Sequence, residues 1–124
     1  MQGLPATCCS ITPTTSCVGT PITQADVGQF GYEITTPGTY CVQENLQKPS
    51  SNPSQYLIGI QVDNVTLDLN GYTLDGDGAS FVITINGGLD NVILRNGVMR
   101  SGTAGFFNLG LSSTVLIQDI RVIF

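Results

Sequence analysis

Asn64 to Gly71 reads Asn-Val-Thr-Leu-Asp-Leu-Asn-Gly, and this stretch recurs twice in altered form farther along the chain. Asn91 to Gly97 reads Asn-Val-Ile-Leu-Arg-Asn-Gly, and Thr114 to Ile120 reads Thr-Val-Leu-Ile-Gln-Asp-Ile. The matching valines lie 27 and then 23 residues apart, at Val65, Val92 and Val115. Strand-like segments that recur at this interval are typical of a solenoid, in which each repeat forms one coil stacked on the last.

The bends of these coils are predicted where the alternation of apolar and polar residues breaks. From Tyr56 onward the alternation has a period of two, which predicts strands, and it stops at Asn, Asp and Gly positions. Asn-Gly also favours β-hairpins, but here it recurs at corresponding points of successive repeats, which favours coils. We therefore expect the three valines to stack inside, and Leu69 to be one extra, bulged residue in the first repeat. A polar stack at a bend is expected from Asn70, Asn96 and Asp119.

Length and composition indicate one all-β domain. The 124 residues carry 10% charged side chains, 15 glycines and a net charge of −5. The four basic residues are too few for a nucleic-acid interface, and no apolar run is long enough for membrane insertion. Residues 1–29 are predicted to be an irregular cap segment rich in Cys, Thr and Pro, and residues 30–124 the repeat domain. No signal peptide is recognisable, so we expect it to be absent or removed.

All four cysteines lie in the first third of the chain, at Cys8, Cys9, Cys17 and Cys41. There is no histidine, and the spacings do not match zinc patterns. Disulfides in a secreted or cell-surface protein are the better interpretation. Three pairings are possible, and because an adjacent Cys8–Cys9 pair is strained, we expect these two to pair with Cys17 and Cys41. Asn64-Val65-Thr66 is also a glycosylation sequon, which makes Asn64 a candidate modification site.

These motifs resemble the right-handed parallel β-helix superfamily, the pectate-lyase-like fold. The likeness is greatest to the N-terminal coils of bacterial β-helix-repeat proteins of poorly defined function, and it covers roughly residues 30–124. It is carried by Pro37-Gly38-Thr39-Tyr40 together with the segments that begin at Asn64 and Asn91. The resemblance implies a short right-handed parallel β-helix of about four coils, whereas members usually have many more.

The last segment of the sequence is strongly apolar and ends without a recognisable cap. An uncovered last coil exposes unpaired backbone groups and apolar side chains. We therefore expect either a fragment of a longer β-helix or an end buried against another chain, which favours a homo-oligomer or end-to-end assembly. The predicted association residues are Leu116, Ile117, Ile120, Val122, Ile123 and Phe124.

Catalytic residues are harder to find. The resemblance implies three Asp residues and a His in the hydrolases, and Asp-bound calcium with a basic residue in the lyases. This chain has no His and one Lys, Lys48, in a Pro-Ser loop, so the usual hydrolase set is missing. Asp68 and Arg95 match in adjacent repeats and predict a cross-strand ion pair. No cofactor is predicted, and the weak calcium candidates Asp75, Asp77 and Asp90 are more simply explained as turn residues.

The sequence thus favours a non-catalytic, structural and self-associating module of a secreted or surface protein. The alternatives are a fragment of a polysaccharide-active lyase or hydrolase, and a glycan-binding module. The four tyrosines that could stack on sugars, although filling bends is the simpler role, are Tyr32, Tyr40, Tyr56 and Tyr72.

Overall fold

The computed structural model describes residues 17–28, 30–49, 56–77, 81–100 and 107–123. Within these ranges the chain is all-β, apart from a short 3-10 helix at Gln24–Asp26. The strands are β1 Thr20–Ile22, β2 Tyr32–Ile34, β3 Gly38–Val42, β4 Leu46–Gln47, β5 Ile58–Ile60, β6 Val65–Asp68, β7 Thr73–Asp75, β8 Ile83–Ile85, β9 Val92–Arg100, β10 Phe107–Leu109 and β11 Val115–Ile123.

The strands form two sheets in which every strand pair is parallel. One has the order β1-β3-β6-β9-β7-β4 with β11 also on β9, and the other has the order β10-β8-β5-β2. The first half of β9 pairs with β6 and its second half with β7. Paired residues lie between 20 and 28 positions apart along the chain in all nine pairs. Neighbouring strands in a sheet therefore come from successive repeats of the sequence.

The register confirms the predicted alignment of the repeats. Val65 pairs with Val92, which pairs with Val115, so the three valines form one row across the sheet. Val65 and Val92 are buried, and Val115 is partly buried against the same core. Two earlier strands lie at Tyr32–Ile34 and Gly38–Val42, and Gly38, the first residue of the latter, has a φ of 139°. The period-two pattern therefore identified the inward row of valines, whereas Leu57 and Ile58, although adjacent in sequence, are both buried.

The bends are formed by Asn and Asp residues with left-handed backbone, as the Asn-Asp-Gly pattern predicted. Asn70, Asn96 and Asp119 have φ values of 55°, 66° and 51°. Asn and Asp tolerate this region better than other non-glycine residues because their short side chains can hydrogen-bond locally. At Asn70-Gly71 the Tyr72 N–H donates to the Leu69 carbonyl at 2.9 Å, so this Asn-Gly forms a tight turn. No hairpin results, because β6 and β7 both pair with β9 instead of with each other.

The expectation that Leu69 is one extra residue was wrong by one. Asp68 pairs with Arg95 and Thr73 with Val98, so residues 69–72 stand opposite only residues 96–97. At this bend the first repeat therefore contains two more residues than the second, and both are accommodated in the Asn70-Gly71 turn. Gly97 lies directly under this wider turn: a Cβ on Gly97 would come within 2.3 Å of Leu69 Cβ and 2.8 Å of the Tyr72 carbonyl oxygen. Glycine is required at residue 97 by this close approach.

The N-terminal segment differs from the expectation in two respects. Thr20–Ile22, predicted to be irregular, forms β1 and pairs with β3, a strand too short for its periodicity to be recognised. The predicted pairing of Cys8 and Cys9 with Cys17 and Cys41 is also wrong, because Cys17 and Cys41 form a disulfide with each other. The Cα atoms of Cys17 and Cys41 lie 5.9 Å apart, a separation that suits a disulfide. Cys8 and Cys9 lie outside the described residues.

We predict that Gly97→Ala lowers the free energy of unfolding by about 2 kcal/mol, because the added methyl group overlaps Leu69 and the Tyr72 carbonyl. Chemical denaturation followed by circular dichroism measures the change. Gly28→Ala is the matched control, since a Cβ there meets no atom within 4 Å. Equal stability of the two variants would contradict the assigned packing of the turn on Gly97.

Candidate functional site

The outer edge of β11 is the first candidate site. β11 pairs with β9 through eight registered residues, and no strand lies along its other edge in the described part of the chain. At nine residues, β11 is as long as β9 and has no proline. An edge of this length presents a row of backbone N–H and C=O groups that can pair with another strand.

Apolar side chains accompany this edge. Ile117 continues the inward row of Leu67 and Leu94, but its exposed fraction is 39% whereas both leucines are at 0%. Val115 and Ile120 are partly buried against the core. Within the described residues, the exposed apolar surface at β11 is therefore the outermost layer of the hydrophobic core.

The predicted association residues lie on this strand, except Phe124, which is outside the described residues. Ile117 pairs with Leu94 and Val122 pairs with Met99, so both continue inward-facing rows of the sheet. Ile120 pairs with Gly97 at the bend. Leu116 and Ile123 pair with Ile93 and Arg100 on the outer surface and are 49% and 42% exposed. The described members of the set thus divide between the end of the core and the outer face of the sheet. Their role in association remains a prediction.

The predicted Asp68–Arg95 pair is present, but Asp68 is buried. Arg95 Nε lies 3.2 Å from Asp68 Oδ2, and the Asp68 side chain is 6% exposed. Its other oxygen, Oδ1, accepts hydrogen bonds from the Asn70 backbone N–H at 2.7 Å and from Asn96 Nδ2 at 3.3 Å. Asn70 Nδ2 in turn donates to the Val42 carbonyl at 3.2 Å. This cluster, the Asp68 network, joins three successive strands at the bend, and we interpret it as structural because both oxygens of the buried Asp68 carboxylate are engaged within the chain.

The weak calcium candidates are separated by the fold. Asp75 accepts the Asp77 backbone N–H at 2.9 Å and lies 3.7 Å from Arg100 Nε, so both aspartates belong to the bend after β7. Asp90 precedes β9, where its Oδ1 accepts from Thr114 Oγ1 at 3.3 Å and its N–H donates to Asp63. Within the described ranges there is no group of three His, Cys, Asp or Glu side chains placed to hold a metal ion. The calcium hypothesis therefore gains no support from these contacts.

A polar cluster that the sequence did not reveal lies on the second sheet. The Tyr56 hydroxyl donates to Glu33 Oε2, and Gln61 Nε2 donates to Glu33 Oε1. Gly59, the register partner of Glu33, leaves room for the Tyr56 ring, because a Cβ there would be 2.8 Å from Tyr56 Cε1. Burial raises the pKa of Glu33, and the Gln61 hydrogen bond partly offsets this. The sequence offered one signal for this cluster. Gly59, a glycine inside a strand, lies 26 positions after Glu33, which is about the length of one repeat.

Two further predicted residues have defined positions. Asn64 is exposed, with a φ of 61°, and its Oδ1 accepts from Asn91 Nδ2 at 3.0 Å. Its glycosylation remains a prediction. Lys48, expected in a polar loop, is buried, and its backbone N–H donates to the Asp75 carbonyl at 3.0 Å. The methylene stem of lysine allows such burial.

Comparison of the chain with protein-family models, curated proteins and solved structures finds no match in any of the three. Among the residues described, no helix is long and apolar enough to cross a membrane.

We predict that Asp68→Ala lowers the free energy of unfolding by about 3 kcal/mol. The substitution removes a buried carboxylate that is the shared acceptor of the Asn70 N–H, the Asn96 amide and the partly exposed Arg95 guanidinium. Asp75→Ala, which removes the longer and more exposed pair with Arg100, is the control and is expected to cost about 1 kcal/mol or less. Denaturant titration of both variants measures the difference, and a smaller loss for Asp68→Ala than for Asp75→Ala would refute the ranking.

Proposed function

We propose that this chain is a right-handed parallel β-helix module of a secreted or cell-surface protein, and that its role is structural and self-associating. Parallel strand pairs with offsets of 20 to 28 residues support the coil arrangement. The right-handed sense follows from the strong preference of parallel crossover connections for that hand. The Cys17–Cys41 disulfide supports an oxidising compartment.

The observation that carries this function is the open edge of β11 with its exposed core layer. An apolar layer in contact with water favours association, at about 25 cal/mol for each Å² of apolar surface that is buried. Strand addition would at the same time satisfy the backbone groups of the edge. Ile117, which continues a fully buried row yet is 39% exposed, is the side chain expected to gain most.

The carboxylates of the sheets and bends give less support to a catalytic function. The carboxylates of Asp68, Glu33 and Asp75 are each engaged by neighbouring side chains or by backbone N–H groups. A polysaccharide-active enzyme would have to act without histidine, which the chain lacks. Turnover of pectin or related acidic glycans, with or without calcium, would replace the structural proposal with the enzymatic one.

We predict that the protein self-associates and that Ile117→Lys abolishes this, because a charge on the open core layer cannot be buried without a partner. Multi-angle light scattering over a wide concentration range measures the mass. Val18→Lys is the control, since Val18 is 89% exposed near the first strand, and it is expected to associate like the wild type.

Ile123→Lys provides a second variant in case Ile117→Lys is unstable, and circular dichroism verifies that each variant is folded. A wild-type protein that remains monomeric at the highest concentration would exclude self-association.

A second candidate function is glycan binding at the Glu33–Tyr56–Gln61 cluster. An aromatic ring beside a carboxylate and an amide offers the apolar face and polar groups that sugars require. The thermal denaturation of Tyr56→Ala would show that the fold is retained.

We predict that, if this site binds glycans, Tyr56→Ala removes signals that the wild type gives on a glycan array, while Tyr72→Ala, at the Asn70-Gly71 turn, retains them. Equal loss in both variants, or no wild-type signal, would exclude this site.

A further inference from the structure

Three asparagines of the chain are followed directly by glycine, at Asn70, Asn86 and Asn96. An Asn-Gly sequence can deamidate spontaneously, when the backbone nitrogen of the glycine attacks the side-chain amide carbon of the asparagine. Glycine favours this attack because no Cβ stands beside the attacking nitrogen and because its backbone adopts many conformations. The three sequences are chemically alike, so a difference between them in the folded protein must come from the structure around each.

Asn70 is held by hydrogen bonds at both reacting groups. Its Nδ2 donates to the Val42 carbonyl at 3.2 Å, and its own N–H donates to Asp68 Oδ1 at 2.7 Å. The N–H of Gly71, which carries the attacking nitrogen, donates to the Asn96 carbonyl at 2.8 Å. These bonds must break before the nitrogen can reach the amide carbon, so the fold protects Asn70.

Asn96 is protected by its place in a strand. It lies inside β9, and its Nδ2 donates to the buried Asp68 carboxylate at 3.3 Å. Gly97, whose nitrogen would attack, pairs with Ile120 on β11, and its surroundings leave no room for a Cβ. Because the attack requires the backbone between Asn96 and Gly97 to rotate, the close packing of this strand opposes it.

Asn86 differs from both. It is exposed at the bend that follows β8, and among the described residues its side-chain amide has no hydrogen-bond partner. The N–H of Gly87 also has no acceptor within the described ranges, whereas the next N–H, that of Gly88, donates to the Leu111 carbonyl at 2.9 Å. Neither the amide nor the attacking nitrogen is therefore held at Asn86.

We infer that Asn86 is the site at which the folded protein deamidates, with Gly87 supplying the attacking nitrogen. This nitrogen bonds to Asn86 Cγ, and the side-chain amide leaves as ammonia together with the proton from the Gly87 N–H. Water then opens the resulting cyclic imide at either carbonyl. The product is aspartate, or isoaspartate with the backbone rerouted through the side chain. Water is the one co-reactant, and the reaction does not depend on the self-association proposed above.

The product alters a bend that joins successive layers of the second sheet. The Asn86 N–H donates to the Ile60 carbonyl at 3.0 Å, and the Asn86 carbonyl accepts from Ser113 Oγ at 2.8 Å. Isoaspartate inserts an additional carbon atom into the backbone between these two anchored groups. Both products also add a negative charge to a chain whose net charge is −5, so isoelectric focusing detects them as acidic species.

Incubation of the wild-type chain in mildly alkaline buffer, both folded and in denaturant, tests the inference. A protease that cleaves before aspartate separates the three sites, because Asp77 lies between Asn70 and Asn86, and Asp90 lies between Asn86 and Asn96. Mass spectrometry of the peptides measures the conversion of each amide to an acid. In denaturant, where no fold protects them, the three asparagines are expected to react at similar rates.

In the folded protein we expect Asn86 to deamidate at least about tenfold faster than Asn70 and Asn96, because the structure must open locally before those two can react. Folded-state rates at Asn70 or Asn96 that equal the rate at Asn86 would overturn the inference. Equal protection of all three asparagines relative to the denatured chain would overturn it as well.

Asn86→Gln tests the assignment by a second measurement, since the longer side chain cannot close the same ring. We expect this variant to lose the acidic species that accumulate in the folded wild type. Asn64→Gln is the matched control: Asn64 is equally exposed but precedes Val65, whose branched side chain hinders the attack, so the acidic species are expected to remain. Acidic species that persist in Asn86→Gln would contradict the assigned site.

Discussion

The burial of the Asp68 carboxylate at the bend is the constraint on which the arrangement of the repeats depends. A buried carboxylate is tolerated only where hydrogen bonds and an opposite charge replace its water. Asp68 obtains these from Asn70 in its own repeat and from Arg95 and Asn96 in the next. Because two of the donors belong to the next repeat, sliding one strand by a single residue would remove Arg95 and Asn96 and leave the carboxylate with the Asn70 N–H alone. The network therefore fixes the register that the apolar rows alone would leave less strictly defined.

The same bend explains why two repeats of unequal length stack without disrupting the sheet. The Asn70-Gly71 turn holds two more residues than the corresponding bend at Asn96, yet β6 and β7 both remain in register with β9. The additional residues need space in the layer below, and Gly97 provides it. Asn residues with left-handed backbone at the bends, together with Gly97, thus allow the strands to stay in register although the repeats differ in length.

Much of this architecture could be predicted because it depends on local periodicity. The row of Val65, Val92 and Val115, the Asn bends and the Asp68–Arg95 pair follow from aligning three similar segments. What could not be predicted depends on residues that pair only once. Three contacts join segments that contain no repeated motif. They are the hydrogen bond from the Gln47 backbone N–H to the Gln24 side chain, the Cys17–Cys41 disulfide, and the hydrogen bond from Tyr56 to Glu33. Their partners are determined by the three-dimensional path of the chain, which a periodicity does not encode.

The faces and the ends of such a stack differ in what they can contribute to function. On the faces, backbone groups are satisfied by the strands on either side, and charged side chains pair with one another, as Asp75 does with Arg100. At an end, the backbone groups of one whole strand lack a neighbour and the core layer beneath is uncovered. The free energy available for binding is consequently concentrated at the ends. Among the described residues, Pro21 lacks an N–H on the edge strand β1 and the Gln24 side chain bonds the Gln47 backbone, whereas β11 has no such feature, so the proposed interaction is assigned to β11.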